Sequence, residues 1–154
     1  MFPVTGILKS DGTVDKDRMK VLVNIAYPMS VTFHRAFDRT KDPFQAMEDI
    51  IKIGCERILT SGQKSTAMDG IDLISELIIK AENRIIIMPG SGIKSDNIIE
   101  IAQRSNAMEF HSSARTFVNS KMEFNQASMN ETLKKVTLNQ EEVEAILKNL
   151  SSLT

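Results

Sequence analysis

The chain has 154 residues, 42% of them hydrophobic and 25% charged, with a net charge of −1. Those totals fit one ordinary globular domain with a sizeable core, and the near balance of charge gives no electrostatic reason to expect nucleic acid or an anionic membrane as a partner. No apolar run approaches the roughly 18 residues of a membrane span, Met1-Phe2-Pro3-Val4-Thr5 has no signal-peptide pattern, and the single cysteine, Cys55, excludes an internal disulfide or a multi-cysteine metal cluster within one chain. The expected location is the cytoplasm.

Phe2 to Leu8 is a short apolar run that reads as a strand, and Ser10-Asp11-Gly12 turns the chain. Val14 to Ala26 is roughly helical in its spacing, with Asp15 and Asp17 suited to a first turn. Tyr27-Pro28 ends it, because the residue before proline is disfavoured from helical geometry. Met29 to Phe37 reads as a central strand. Alternation puts Val31, Phe33 and Phe37 on one face, and Thr32, His34, Ala36 and Asp38 on the other.

Asp42-Pro43 is a helix start: the aspartate caps free amides and proline loses nothing at the first helical position. That helix runs to about Ile53 and Gly54 stops it. Ile58-Leu59-Thr60 is the next strand. A helix over about Asp69 to Glu82 carries Ile71, Ile74, Leu77, Ile78 and Ala81 as its apolar stripe. Arg84 to Met88 suits a strand buried on both faces. After the turn at Pro89-Gly90-Ser91-Gly92, Ser95 or Asp96 caps a helix through about Arg104, and Ala107 to His111 is a last short strand. Arg115 to Val136 is polar and mixed, and reads as loop with short helical or extended pieces. Asn139 caps a final helix with Glu141 and Glu142 in its first turn and Val143, Ile146, Leu147 and Leu150 as its apolar stripe.

Each strand run begins apolar and ends in small or polar residues, and helical segments alternate with the strands. That pattern predicts βα units and a parallel sheet, with any ligand beyond the carboxyl ends of the strands. The polar ends supply the candidates. His34 and His111, the only histidines, can relay protons or bind a metal, or serve as hydrogen-bonded structural residues. Arg35 can clamp an anion, with Asp38 orienting it or His34, or the two can form a satisfied ion pair. These four are the candidate catalytic residues. Ser61, Gly62, Gly90, Ser91, Gly92, Ser112 and Ser113 are candidate ligand contacts. The glycines of Pro89-Gly90-Ser91-Gly92 let backbone approach a small anion, although a tight turn needs glycine too. Glu109 alternates with His111, and if buried it requires a cationic partner.

The stretches Phe33-His34-Arg35-Ala36-Phe37-Asp38, Leu59-Thr60-Ser61-Gly62, Met88-Pro89-Gly90-Ser91-Gly92 and Glu109-Phe110-His111-Ser112-Ser113-Ala114-Arg115, in this order and at these distances, resemble the CutC family of copper homeostasis proteins. The lead-in Val4-Thr5-Gly6-Ile7-Leu8-Lys9-Ser10-Asp11-Gly12-Thr13-Val14-Asp15 and the Val136-Thr137-Leu138-Asn139 step fit it as well. The resemblance implies a TIM-type barrel, a fold of eight parallel strands in roughly 200–250 residues. Here it implies a partial barrel of about five parallel strands with intervening helices, resembling strands four to eight of the family, so that the loops at Gly90–Gly92 and Ser112-Ser113 follow strands seven and eight, where such barrels often hold phosphate. An open arc leaves two unpaired edges. It is expected to be a truncated product, or to cover its edges as a homo-oligomer.

Two functions follow as expectations. The resemblance implies a protein linked to copper homeostasis, with copper as a ligand. Copper(I) prefers sulfur, though imidazole also suits copper. The family's proposed copper cysteines belong to the early strands, and Cys55 does not match them. The other expectation is an enzyme, or former enzyme, binding a small phosphorylated or carboxylated molecule at the strand ends. There His34 or His111 would be acid or base, Arg35 the clamp and Gly90 to Gly92 the amide cradle.

Overall fold

The computed structural model describes residues 3–130 and 133–153. Four strands lie side by side in sequence order and all run parallel: β1 (Val4–Thr5), β2 (Thr32–Phe33), β3 (Arg57–Thr60) and β4 (Ile86–Pro89). Between them lie α1 (Lys16–Ala26), α2 (Pro43–Ile53) and α3 (Ile71–Ala81), and α4 (Ile98–Ser105) follows β4. The expected α/β architecture of βα units is therefore present. The expectation of about five parallel strands is corrected to four. Ala107 to His111 meets the sheet through one parallel bridge, Gly90 to His111, secured by the His111 amide donating to the Pro89 carbonyl at 2.9 Å.

Local chemistry explains the boundaries. Asp42 accepts hydrogen bonds from the amides of Phe44 and Gln45, Pro43 opens α2, and Gly54 ends it in the left-handed conformation. Asp15 lies outside the helix as its cap, accepting from the Arg18 amide, so α1 begins two residues later than the apolar pattern suggests. The strand expected over Phe2 to Leu8 narrows to Val4–Thr5, with Phe2 outside the described residues, and Leu8 instead bridges Val14 across the Asp11-Gly12 turn. The strand expected over Met29 to Phe37 stops at Phe33. A 3-10 turn, Arg35–Arg39, replaces its second half, because the His34 Nδ1 atom accepts the Ala36 amide and pulls the chain out of extended geometry. The Arg84 to Met88 strand shifts to Ile86–Pro89, since Arg84 is taken up by Glu48 and by the carbonyls of Lys80 and Ala81. Asn97, not Ser95 or Asp96, occupies the residue before α4.

The two faces of the sheet differ. Phe33, Ile58 and Ile87 share one face by register and are buried against the helices. Arg57, Leu59, Ile86 and Met88 share the other and are half-buried, so β4 is not covered on both sides as expected. The core is continuous on the helical side: Met19, Met47, Ile50, Ile74, Leu77, Ile98 and Ile101 are all essentially inaccessible to solvent.

The segment expected to be loop over Arg115 to Val136 contains an antiparallel ribbon, β5 (Arg115–Asn119) with β6 (Lys134–Leu138). Most of its residues are exposed on both faces, so it lacks the apolar alternation that marks a half-buried strand. Asn139 caps α5 (Gln140–Ser151) by accepting the Glu142 amide. Of its expected stripe Ile146 is buried and Leu150 packs on the core, but Leu147 is 58% exposed. Among the described residues no helix is long and apolar enough to cross a membrane.

Candidate functional site

Because β2, β3 and β4 are parallel, the residues after Phe33, Thr60 and Pro89 emerge at one end of the sheet, and the Gly90–His111 bridge brings His111 to the same end. The centre of that end is the Asp38 carboxylate, which is only 8% exposed. Its Oδ1 accepts from the Thr60 hydroxyl at 2.5 Å and from the amides of Ser61 and Gln63 at 3.0 and 3.2 Å. Its Oδ2 accepts from Arg35 Nε at 2.8 Å. The Thr60 hydroxyl in turn accepts the Gly62 amide. A carboxylate so surrounded by donors is a fixed anchor, with no lone pair turned toward a reacting proton. Asp38 therefore positions Arg35.

Arg35 is held by three groups. Its Nε meets Asp38, its Nη2 donates to the Ser61 hydroxyl at 2.7 Å, and the Lys64 carbonyl accepts from Nη2 at 3.5 Å. Arg35 also lines two open clefts, which share it and Leu59 as a wall. The larger, about 710 Å³, is also lined by Ser91, Gly92, Lys94, Ser95, His111, Ser112, Ser113 and Arg115. The smaller, about 580 Å³, is lined by Leu8, His34, Ala36, Asp38 and Arg39. His34 and His111 thus sit at one end of the sheet but in different clefts.

The His34 imidazole rests on Gly6. A β-carbon there would come within 2.7 Å of Nδ1, so only glycine allows the strand to pass under the ring. With Nδ1 accepting from Ala36, a neutral His34 carries its proton on Nε2 and offers a donor to its cleft. Gly90 plays a similar part beside the other histidine: a β-carbon would press on Leu59 Cδ1 at 2.5 Å and on the His111 β-carbon at 3.3 Å.

The other candidates divide. Ser91, Gly92, Ser112 and Ser113 line the larger cleft. Ser61, Gly62 and Gly90 are buried and line neither cleft. Ser112 donates to the Ile93 carbonyl at 2.8 Å and accepts the Ala114 amide, tying the two loops together. Glu109 is half-buried, not buried, and has a cationic partner nonetheless: Arg57 meets it twice, at 2.7 and 3.1 Å, which raises the guanidinium further above its ordinary value.

Lys94, Ser95, Asp96, Arg115, Asn139 and Glu142 also line the larger cleft, and none of them is a candidate site residue from the sequence. Arg115 was within reach, since it closes the stretch that contains His111. Glu142 was not. Its carboxylate accepts the Ser95 amide at 2.7 Å and the Ser95 hydroxyl at 2.8 Å, which holds it below the usual carboxylate range. Nothing in the spacing joins residues 47 positions apart.

The donors do not suit copper. Cys55 is buried on the core side, where desolvation pushes its thiol up to about 11. The two histidines line separate clefts. Among the described residues no group of three or more His, Cys, Asp or Glu is placed to hold a metal ion.

Parallel strands linked by helices, with polar side chains gathered at the strands' carboxyl ends, define an α/β protein of βα units. The CutC family model matches residues 3–116. This chain belongs to the CutC family. It is 54% identical over 121 residues to a family protein CutC of Parabacteroides distasonis, covering 79% of this chain and 50% of that one. It is 46% identical over 126 residues to the mouse copper homeostasis protein cutC homolog, covering 82% of this chain and 46% of that one. A crystal structure from Streptococcus agalactiae, of a protein assigned to copper homeostasis as CutC, superposes with a TM-score of 0.66 at 29% identity, over 70% of this chain and 53% of the other. The chain spans about half the length of the curated relatives it matches.

Proposed function

We propose that this chain takes part in copper homeostasis, and that its site at the strand ends binds a small anionic molecule instead of a copper ion. The first half rests on kinship, since relatives from mouse and human are named for copper homeostasis. The second half rests on one observation: Arg35, fixed by Asp38, Ser61 and the Lys64 carbonyl, lines both clefts, whose other side chains include Lys94, Arg39 and Arg115. A guanidinium lining a cleft suits phosphate or carboxylate. Of the acidic groups nearby, Asp38 is paired with Arg35 and Glu142 is engaged by Ser95, while Asp96 also lines the larger cleft.

The same reading places the four strands and the His111 segment as strands four to eight of a TIM-type barrel. Support comes from the sequential parallel order, and from the polar loops after β4 and at Ser112-Ser113, where such barrels hold phosphate. The β1 edge then calls for a cover, and self-association is the proposed one, because Val4, Ile25 and Met29 beside it are more than half exposed.

The test pairs two titrations. Inorganic phosphate or a sugar phosphate is expected to raise the melting temperature, and Arg35→Ala to abolish the rise. Copper(I), supplied with a competing chelator, is expected not to be retained. Tight retention of one equivalent, lost on His34→Ala or His111→Ala, would overturn the anion reading.

A further inference from the structure

The two clefts have one wall in common, and that wall is Arg35. On one side lie Lys94 and Arg115, with the Ser91-Gly92 and Ser112-Ser113 loops and the carboxylates of Asp96 and Glu142, the latter taken up by Ser95. On the other lie Arg39 and the Nε2 edge of His34. Cationic and donor groups therefore flank Arg35 on both sides, with the side chain of Leu59 as the only other shared surface. A single anionic group satisfies one side and leaves the other hydrated.

We propose that the two clefts are two halves of one binding site, and that its ligand is a small molecule with two anionic groups joined by a short carbon chain. One group would sit among Lys94, Arg115 and the serine loops, the other against Arg39 and His34. Arg35 contacts the span between them, and Leu59 packs beneath the carbon chain. This rests on the anion reading and adds to it the number and spacing of the charges. Asp38 acts through Arg35: by holding Nε, it fixes the guanidinium in the wall between the clefts.

Spacing matters as well as charge, so the probes vary both. Fructose 1,6-bisphosphate has two separated phosphates, fructose 6-phosphate has one, and pyrophosphate has high charge but cannot span. Calorimetry on the whole chain is expected to show the bisphosphate binding about tenfold tighter than either of the others, the effect of one added charge-assisted contact. Arg39→Ala is expected to erase that ratio. Arg39 is exposed and lies at the end of the 3-10 turn, so the substitution leaves the core intact. Lys94→Ala should reduce the ratio from the other side.

Equal binding of the bisphosphate, monophosphate and pyrophosphate would overturn the two-group ligand and leave the single-anion reading standing. A tenfold preference that survives Arg39→Ala would also overturn it, because the second group would then sit elsewhere. Failure of all three probes to bind would remove both readings.

Discussion

Val4 and Ile58 are both β-branched residues in the same parallel sheet, yet Ile58 is fully buried and Val4 is 57% exposed. The contrast extends to their surroundings. Around Ile58, β3 and β4 pair over four residues, and α2, α3 and α4 cover the sheet in sequence order. At the margins, β1 pairs over two residues, and the β5–β6 ribbon carries Phe117, Val136 and Leu138 largely in solvent. The middle is a packed interior in which hydrophobic burial and ladder bonds support each other. The margins have the ladder bonds without the burial. Hydrogen bonds contribute little net stability by comparison with buried apolar area, so the two regions should respond very differently to the same truncation.

Ile58→Ala should therefore have the largest effect, a loss of about 3 kcal/mol or more from the transfer and cavity terms. Val136→Ala, which removes an exposed side chain from the ribbon, should lie within about 0.5 kcal/mol. Urea unfolding of both variants checks the pair, and similar midpoints would erase the distinction between middle and margin. Next comes Asp38→Ala. It strands the Thr60 hydroxyl and the amides of Ser61 and Gln63, and frees Arg35 from its anchor. A cost of about 2–3 kcal/mol is expected, together with loss of the melting shift given by phosphate. A stable Asp38→Ala variant that still answers to phosphate would show that Arg35 needs no positioning.

How much of this was legible follows the same division. The Asp42-Pro43 start of α2, its Gly54 stop and the stripe of α3 are local signals reinforced by packing, and they lie where the sequence places them. The β5–β6 ribbon was hidden because its residues face solvent on both sides and show no period. Alternation continues through His34, Ala36 and Asp38 beyond the end of the strand at Phe33, while the His34 side chain bends the backbone by accepting the Ala36 amide. In the site, Arg35 and Asp38 lie three positions apart in one motif, so the sequence itself pairs them. Lys94, Glu142 and the split of the two histidines depend on how distant loops meet, which no spacing encodes.

Glu142 tests one margin through pH. The carboxylate ties α5 to the turn before α4, and its acidity is increased first by the Ser95 amide and then by the Ser95 hydroxyl. A carboxyl more acidic when folded stabilises the fold above the ordinary glutamate range, and that contribution is lost as pH falls through the lowered value. The group is partly open to solvent, so the effect should be about 1 kcal/mol or less. Hydrogen exchange in α5 should speed up on acidification in the native chain. Glu142→Gln should show the faster exchange already at neutral pH, with little further change. An unaltered pH response in that variant would assign α5 docking to Ile146 and Leu150 alone.

The smallest effect belongs to the packed middle and reads its tightness directly. Cys55 lies between α2 and β3, is 4% exposed, and has its thiol pushed up to about 11 by desolvation. Because the reactive species is the thiolate, native protein at pH 8 should label with iodoacetamide far more slowly than denatured protein. The folded state keeps the proton longer than the unfolded chain does, so stability is unaffected below the ordinary thiol range and declines as pH rises through it toward about 11. Cys55→Ala should flatten that alkaline decline while costing little volume. If Cys55 labels in the native state as fast as in urea, the boundary between α2 and β3 opens freely, and the middle of the sheet is no tighter than its margins.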